Sequence, residues 1–195
     1  MSITVKQLNL LRVYHQATAD ELVCGLNWYR DANCDADRLA SENGILIEQS
    51  AGIIAAMSPG LRYERNIDAA ERVIRGESLM GLGVRWFDGV RKAKRILRGH
   101  APSEVLRGNK VKAFYRCILH PQNETSVCID GHAFSIWAGR RIALDDVPPI
   151  SGRLYHRIAS DYCIVARDSS ISPCQMQAIC WVVWRRIHGV SNEQL

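Results

Sequence analysis

The sequence predicts an all-α protein, a single domain of two helical lobes over residues 1–195. Three observations predict it. Apolar residues recur at three- and four-residue spacing in one segment after another, the period of a helix with one buried face. The punctuation between segments is helical: Thr18 ahead of Glu21, then Asn43-Gly44, Ser58-Pro59-Gly60 and Gly76. No run reads as a strand longer than Val127–Ile129.

The elements follow in order. Thr18 and Glu21 make a capping-box pattern for a helix bearing Leu22, Leu26, Trp28 and Tyr29, and Cys34–Ser41 continues helically to a stop near Asn43-Gly44. Glu48–Met57 is short, rich in Ala and Ile, and apolar enough to be a fully buried helix. Ser58-Pro59-Gly60 ends it, and Tyr63–Arg75 follows with Ile67, Ala70, Val73 and Ile74 at helical spacing. Gly76–Gly83 reads as a loop. Trp86–Arg98 places Phe87, Val90, Ala93, Lys94 and Leu97 on one side and a dense basic face on the other. Asn109–Leu119 is a helix whose expected buried stripe is Val111, Phe114, Tyr115 and Ile118. Lys110 and Lys112 then lie about 90° and 110° from the stripe's centre, on opposite sides. His120–Ser126 is a polar loop, and Val127–Ile129 leads through Asp130 into a helix with Phe134, Ile136 and Trp137. Asp145–Gly152, containing Pro148-Pro149, reads as a loop. Arg153–Val165 and a segment from Ser172 or Pro173 to His188 close the chain as helices.

Composition narrows the class. With 47% hydrophobic residues the chain can bury a core, which excludes global disorder. The longest apolar runs, Gly52–Met57 and Ile179–Trp184, fall far short of the roughly 20 residues of a membrane span. Met1–Lys6 lacks the features of a signal peptide, so a soluble, cytoplasmic protein with no membrane partner is expected. Seven cysteines without a Cys-x-x-Cys read as reduced thiols. Cys163, Cys174 and Cys180 are too few and too widely spaced for an iron–sulfur loop, and Cys117, His120 and Cys128 read as packing residues rather than zinc ligands. No metal, no cofactor and no obligatory protein partner are expected. The net charge of +5 matters less than its distribution. Ten basic residues (Arg85, Arg91, Lys92, Lys94, Arg95, Arg98, Arg107, Lys110, Lys112, Arg116) stand against Asp88 and Glu104, and the remainder is mildly acidic. That segment has the electrostatic footprint of a polyanion-binding surface.

The chemistry concentrates in Leu106-Arg107-Gly108-Asn109-Lys110-Val111-Lys112-Ala113 and Val127-Cys128-Ile129-Asp130-Gly131-His132, with 18 positions from Lys112 to Asp130. Gly108 permits a tight turn into a helix whose free N–H groups, flanked by Arg107, Lys110 and Lys112, suit a phosphate. Asp130 fills either of two compatible roles, a helix N-cap or a carboxylate that steadies a cationic sugar or activates an attacking group. Each lysine reads first as a phosphate ligand, and either one, its pKa lowered by its neighbours, could be a nucleophile. His132 reads as a structural hydrogen-bonding residue before an acid or base.

These segments resemble the hairpin and catalytic region of the helix-hairpin-helix DNA glycosylase superfamily, the group that includes endonuclease III. Leu106, Gly108, Lys112 and Ala113 fall on its Leu-Pro-Gly-Val-Gly-x-Lys-Thr-Ala pattern, and Asp130 with His132 on its Val-Asp-Thr-His. Gly89–Leu97 resembles the helix before the hairpin, and Ala55-Ala56-Met57-Ser58 with Asn66 an early segment, so the likeness runs from Gly52 to Gly139. Lys110 stands where the family has its second hairpin glycine, Gly60 lies near a position where many members carry glutamine, and the iron–sulfur loop is absent. The chain is more similar still to short phage-associated proteins with Ala-x-x-Ser-Pro, Gly-x-Lys-x-(Lys/Arg)-Ala-Phe-Tyr and Val-Asp-Gly-His-Ala patterns.

The resemblance implies a two-lobed glycosylase-like fold with its hairpin and catalytic segment in 86–139, a cleft holding Asp130 and one lysine, and DNA as partner in a bacterial or phage-infected cell. It implies cleavage of the N-glycosidic bond of a flipped-out base by Asp130 with Lys112 or Lys110, with or without lyase activity. Arg107, Gly108, Asn109, Lys110, Arg91 and Lys94 are then DNA-binding. Ser58, Leu61, Tyr63, Asn66, His132 and Trp181 are base-pocket or wedge residues. Trp181, which shares helical spacing with Gln177, Trp184 and Arg185, suits core packing as well as base stacking. The alternatives are a phage enzyme that modifies a base in DNA and a DNA-binding protein without catalysis.

Overall fold

The computed structural model describes residues 3–80 and 87–189, and among them it contains ten α-helices, one 3-10 turn and no strand. The expected loop residues 81–83, the start of the basic helix at Trp86, and Arg85 lie outside the described residues. Described residues 3–30 and 120–189 form one compact unit, and 31–80 with 87–119 form a second. No helix of the described residues is long and apolar enough to cross a membrane.

The first unit is built from α1 (Val5–Tyr14), the opening turns of α2 (Ala19–Asn43), α8 (Gly131–Ala138), the 3-10 turn Leu144–Asp146, α9 (Gly152–Asp168) and α10 (Pro173–Ile187). The Thr18–Glu21 box closes as expected: each backbone N–H donates to the other residue's side chain, at 2.9 and 3.3 Å. α10 is the unit's central helix, buried from Met176 to Cys180 and from Val182 to Arg185. Its closeness to α2 depends on Gly25, where a Cβ would stand 2.6 Å from the Ile179 backbone. α1 packs on α8, α9 and α10. Its Asn9 amide donates to the Trp137 carbonyl at the end of α8, beside the left-handed Gly139. Asp161 of α9 takes hydrogen bonds from the Trp137 indole and the Gln7 amide, each at 2.8 Å, which ties three helices through one carboxylate.

The second unit surrounds α3 (Ile47–Met57), whose residues from Ser50 to Met57 are all buried, as its composition predicts. α4 (Tyr63–Arg75), α5 (Phe87–Leu97), the short α6 (Pro102–Val105) and α7 (Asn109–Leu119) pack against it. Two glycines set the approach. A Cβ on Gly52 would meet Pro102 of α6 at 2.8 Å, and one on Gly89 of α5 would meet the Ala56 carbonyl at 2.8 Å. Side-chain amides close two helix ends: Gln49 donates to Ile96 O, and Asn33 to the Ile118 and Leu119 carbonyls.

Two helix faces differ from expectation. On α7 the buried residues are Ala113, Phe114, Cys117 and Ile118, while Val111 and Tyr115 are half-buried. The small Ala113 and Cys117 are buried in place of Val111 and Tyr115, and this rotates the stripe. Lys110 therefore lies only about 10° from the stripe's centre, exposed at the first turn, and Lys112 about 170° from it. On α5, Ala93 and Ile96 are buried and Lys94 joins the exposed face. Phe87, at the first position of the helix, is 92% exposed rather than part of the apolar side.

Candidate functional site

The expected site residues fall in both units. In the first unit the Val127–Ile129 run is buried but belongs to no helix or ladder, so its backbone polar groups need other partners. Tyr155 of α9 supplies them: its hydroxyl donates to Val127 O at 2.8 Å and accepts from Ile129 N–H at 3.1 Å. The next residue is Asp130, the N-cap of α8, whose Oδ1 accepts from Ala133 N–H at 2.8 Å. Among the described residues no hydrogen bond or ion pair reaches its Oδ2, and the side chain is half-buried. Tyr162, seven residues along α9 from Tyr155, donates to Ala133 O at 3.2 Å. Burial, with smaller contributions from Cys180 and Asp130, pushes the Tyr162 phenol well above its ordinary range, so it stays a donor. A Cβ on Gly131 would lie 2.7 Å from the end of the exposed Leu144 side chain, in the 3-10 turn.

His132 is half-buried at the second position of α8, and among the described residues no hydrogen bond to it is seen. Its charge contributes, after burial and Arg141, to the lowered pKa of His188, whose ring stands edge-on to Trp184 at 4.2 Å. Trp181 is half-buried, edge-to-face with Trp28 at 6.5 Å and under the Arg185 guanidinium at 4.5 Å. Gln177 is buried and accepts from the Tyr29 hydroxyl at 3.1 Å. These contacts occupy that helix face with packing inside the unit.

In the second unit, α6, the turn Leu106–Gly108 and α7 follow one another, and Gly108 adopts φ 78°, the left-handed conformation glycine favours. Leu106 is buried, Asn109 and Lys110 are exposed, and α7 carries no acidic residue in its first turn. Lys112 is half-buried and has no ion-pair partner among the described residues. Arg107 folds back to donate to Glu104 O at 2.7 Å and Leu106 O at 3.3 Å, stiffening the turn. On α5, Lys92 and then Arg91 pair with Asp88, which holds that carboxyl below its ordinary range. Lys94, Arg95 and Arg98 are exposed and have no acidic partner among the described residues. The expected wedge region lies in the same unit. Ser58 Oγ donates to Ala55 O, Leu61 is half-buried, and the Tyr63 hydroxyl donates to Asp35 of α2 at 3.1 Å. Burial and Asp35 raise the Tyr63 pKa far above the ordinary phenol range. Asn66 is 1% exposed, and its Oδ1 has no hydrogen-bond partner among the described residues.

Sequence reasoning missed Tyr155 and Tyr162. The signal was available: a buried apolar run with no second strand must satisfy its backbone elsewhere, and two tyrosines seven apart share a helix face.

None of the seven cysteines is in a disulfide, and no group of three His, Cys, Asp or Glu among the described residues could hold a metal ion. No curated protein and no solved structure matches the chain. The family described as "Family of unknown function (DUF7178)" matches residues 2–188, which is nearly the whole chain, and the protein belongs to that family.

Proposed function

We propose that this protein is an enzyme acting on a base flipped out of DNA, and that it cleaves the N-glycosidic bond. The observation that carries this reading is the Asp130 carboxylate, anchored through Oδ1 while Oδ2 takes no partner among the described residues. An ordinary N-cap needs no pinned, buried approach, whereas a catalytic carboxylate needs a fixed position. In base release the bond from C1′ to the base nitrogen breaks, and positive charge develops on the sugar. A fixed carboxylate stabilises that charge or takes a proton from the attacking water. The exposed cations of α5 and the opening of α7 supply the phosphate contacts in this reading.

The lysines divide the reaction into two forms. A lysine amine attacking C1′ expels the base and forms a Schiff base that leads to strand cleavage; water attacking instead leaves an abasic site. Borohydride trapping tests this on duplexes and single strands bearing damaged and phage-modified bases, with Lys110→Ala and Lys112→Ala alongside. A trapped adduct lost in one variant identifies a lyase and its nucleophile. Alkali-labile sites without an adduct identify base release by Asp130 and water. Neither signal on any substrate refutes the proposal in favour of base modification or plain binding.

A further inference from the structure

Asp130 sits between two anchors from one helix. Tyr155 and Tyr162 of α9 are both buried, at 7% and 0% exposure, and lie seven residues apart on one face with Ile158 between them. Tyr155 holds the chain just before Asp130 through Val127 O and Ile129 N–H. Tyr162 holds the first turn of α8 just after it, through Ala133 O. The Ala133 N–H in turn holds Asp130 Oδ1. The carboxylate's position is thus fixed from both sides by phenol groups that hydrogen-bond to neither of its oxygens among the described residues.

From this geometry we infer that Tyr155 and Tyr162 are positioning residues for the Asp130 carboxylate. The inference deepens the proposed function, on which its catalytic consequence rests, but its structural part stands without it. Tyr155 carries more of the effect. Removing its hydroxyl leaves a buried carbonyl and a buried N–H without that partner, in a run that has no strand to lean on. The Phe ring still fills the site, so packing is retained.

The test reads the Ala133 amide in the full chain by NMR and hydrogen exchange, with the Gln175 amide as reference. Gln175 N–H is capped by Ser172 Oγ at the start of α10, a helix end in the same unit that Tyr155 is not observed to hold. In Tyr155→Phe the Ala133 amide is expected to exchange at least about tenfold faster while Gln175 is unchanged and helical circular dichroism is retained. Equal acceleration at both amides indicates general loosening and overturns the inference, as does no change at Ala133. Should Tyr155→Phe fail to fold, Tyr162→Phe removes a single 3.2 Å bond and carries the same comparison.

On a base-release substrate, Tyr155→Phe is expected to lower the single-turnover rate roughly ten- to a hundredfold with DNA affinity unchanged. A fall in affinity with the rate unchanged contradicts positioning. If the wild-type protein releases no base, the functional proposal fails while the Ala133 amide still decides this inference.

Discussion

Replacing Lys94, Arg95 and Arg98 together with alanine tests whether the exposed face of α5, continued by Arg98 in the turn after it, meets a polyanion. These residues and Arg91 stand at i, i+3, i+4 and i+7, within about 100° of arc opposite the buried Ala93 and Ile96. At about 1.5 Å per residue the row is roughly 10 Å long, which matches about three base pairs of a duplex. Arg91 already shares Asp88 with Lys92, whereas the other three have no acidic partner among the described residues. If each neutralises one phosphate, the log–log slope of affinity against salt becomes shallower by up to about 2.7. Between 50 and 200 mM salt, the affinity then falls by a factor up to roughly 40 smaller than in the wild type. Fluorescence anisotropy on a labelled duplex measures both slopes. Arg72→Ala is the control, because Arg72 is engaged by Asp68 at 2.8 Å on α4, and its slope is expected to stay at the wild-type value. A triple variant that still binds with a slope within about half a unit of wild type refutes the assignment of this face to phosphate.

Two further expectations follow from the packing. Gly25→Ala forces a Cβ to 2.6 Å from the Ile179 backbone. Despite alanine's better helix propensity it is expected to destabilise the protein by about 1–3 kcal/mol, measured by thermal or urea unfolding; an unchanged midpoint contradicts the close approach of α2 and α10. His188 has its pKa lowered from 6.5 in the folded state, chiefly by burial and then by Arg141 and His132. The unfolded chain therefore takes up its proton first as pH falls through 6.5, so this residue subtracts stability below that pH and leaves it unaffected above. His188→Gln is expected to flatten the acid side of the stability profile below about pH 6.5, and an unaltered profile contradicts it.

Legibility in the sequence followed the range of the forces involved. Tyr63–Arg75 and Asn109–Leu119 were readable to the residue because glycines in the left-handed conformation, Gly76 and Gly108, end the first and open the second. α3 was readable because its burial on every side leaves no polar face to disguise it. The helix Val5–Tyr14 was not recognised, although Thr4 and Gln7 form a capping box there; the segment lacks a strong apolar period. The rotation of α7 was hidden because the larger Val111 and Tyr115 offer more apolar area than Ala113 and Cys117, whereas burial at close quarters favours the smaller pair. Asp130 was visible as a cap and as a candidate catalyst from its local context. The hydroxyls that fix it come from α9, 25 and 32 residues further on, and only tertiary contact reveals that kind of support.

The measurement that tests the central claim most directly is free-base release from the substrate panel, quantified by mass spectrometry, for the wild type and Asp130→Asn. Asparagine keeps the side-chain oxygen that caps Ala133 and removes the negative charge, so fold and DNA affinity are expected to persist. The account predicts base release by the wild type and a loss of at least about a hundredfold in Asp130→Asn at equal DNA affinity. Base release that survives the substitution contradicts it.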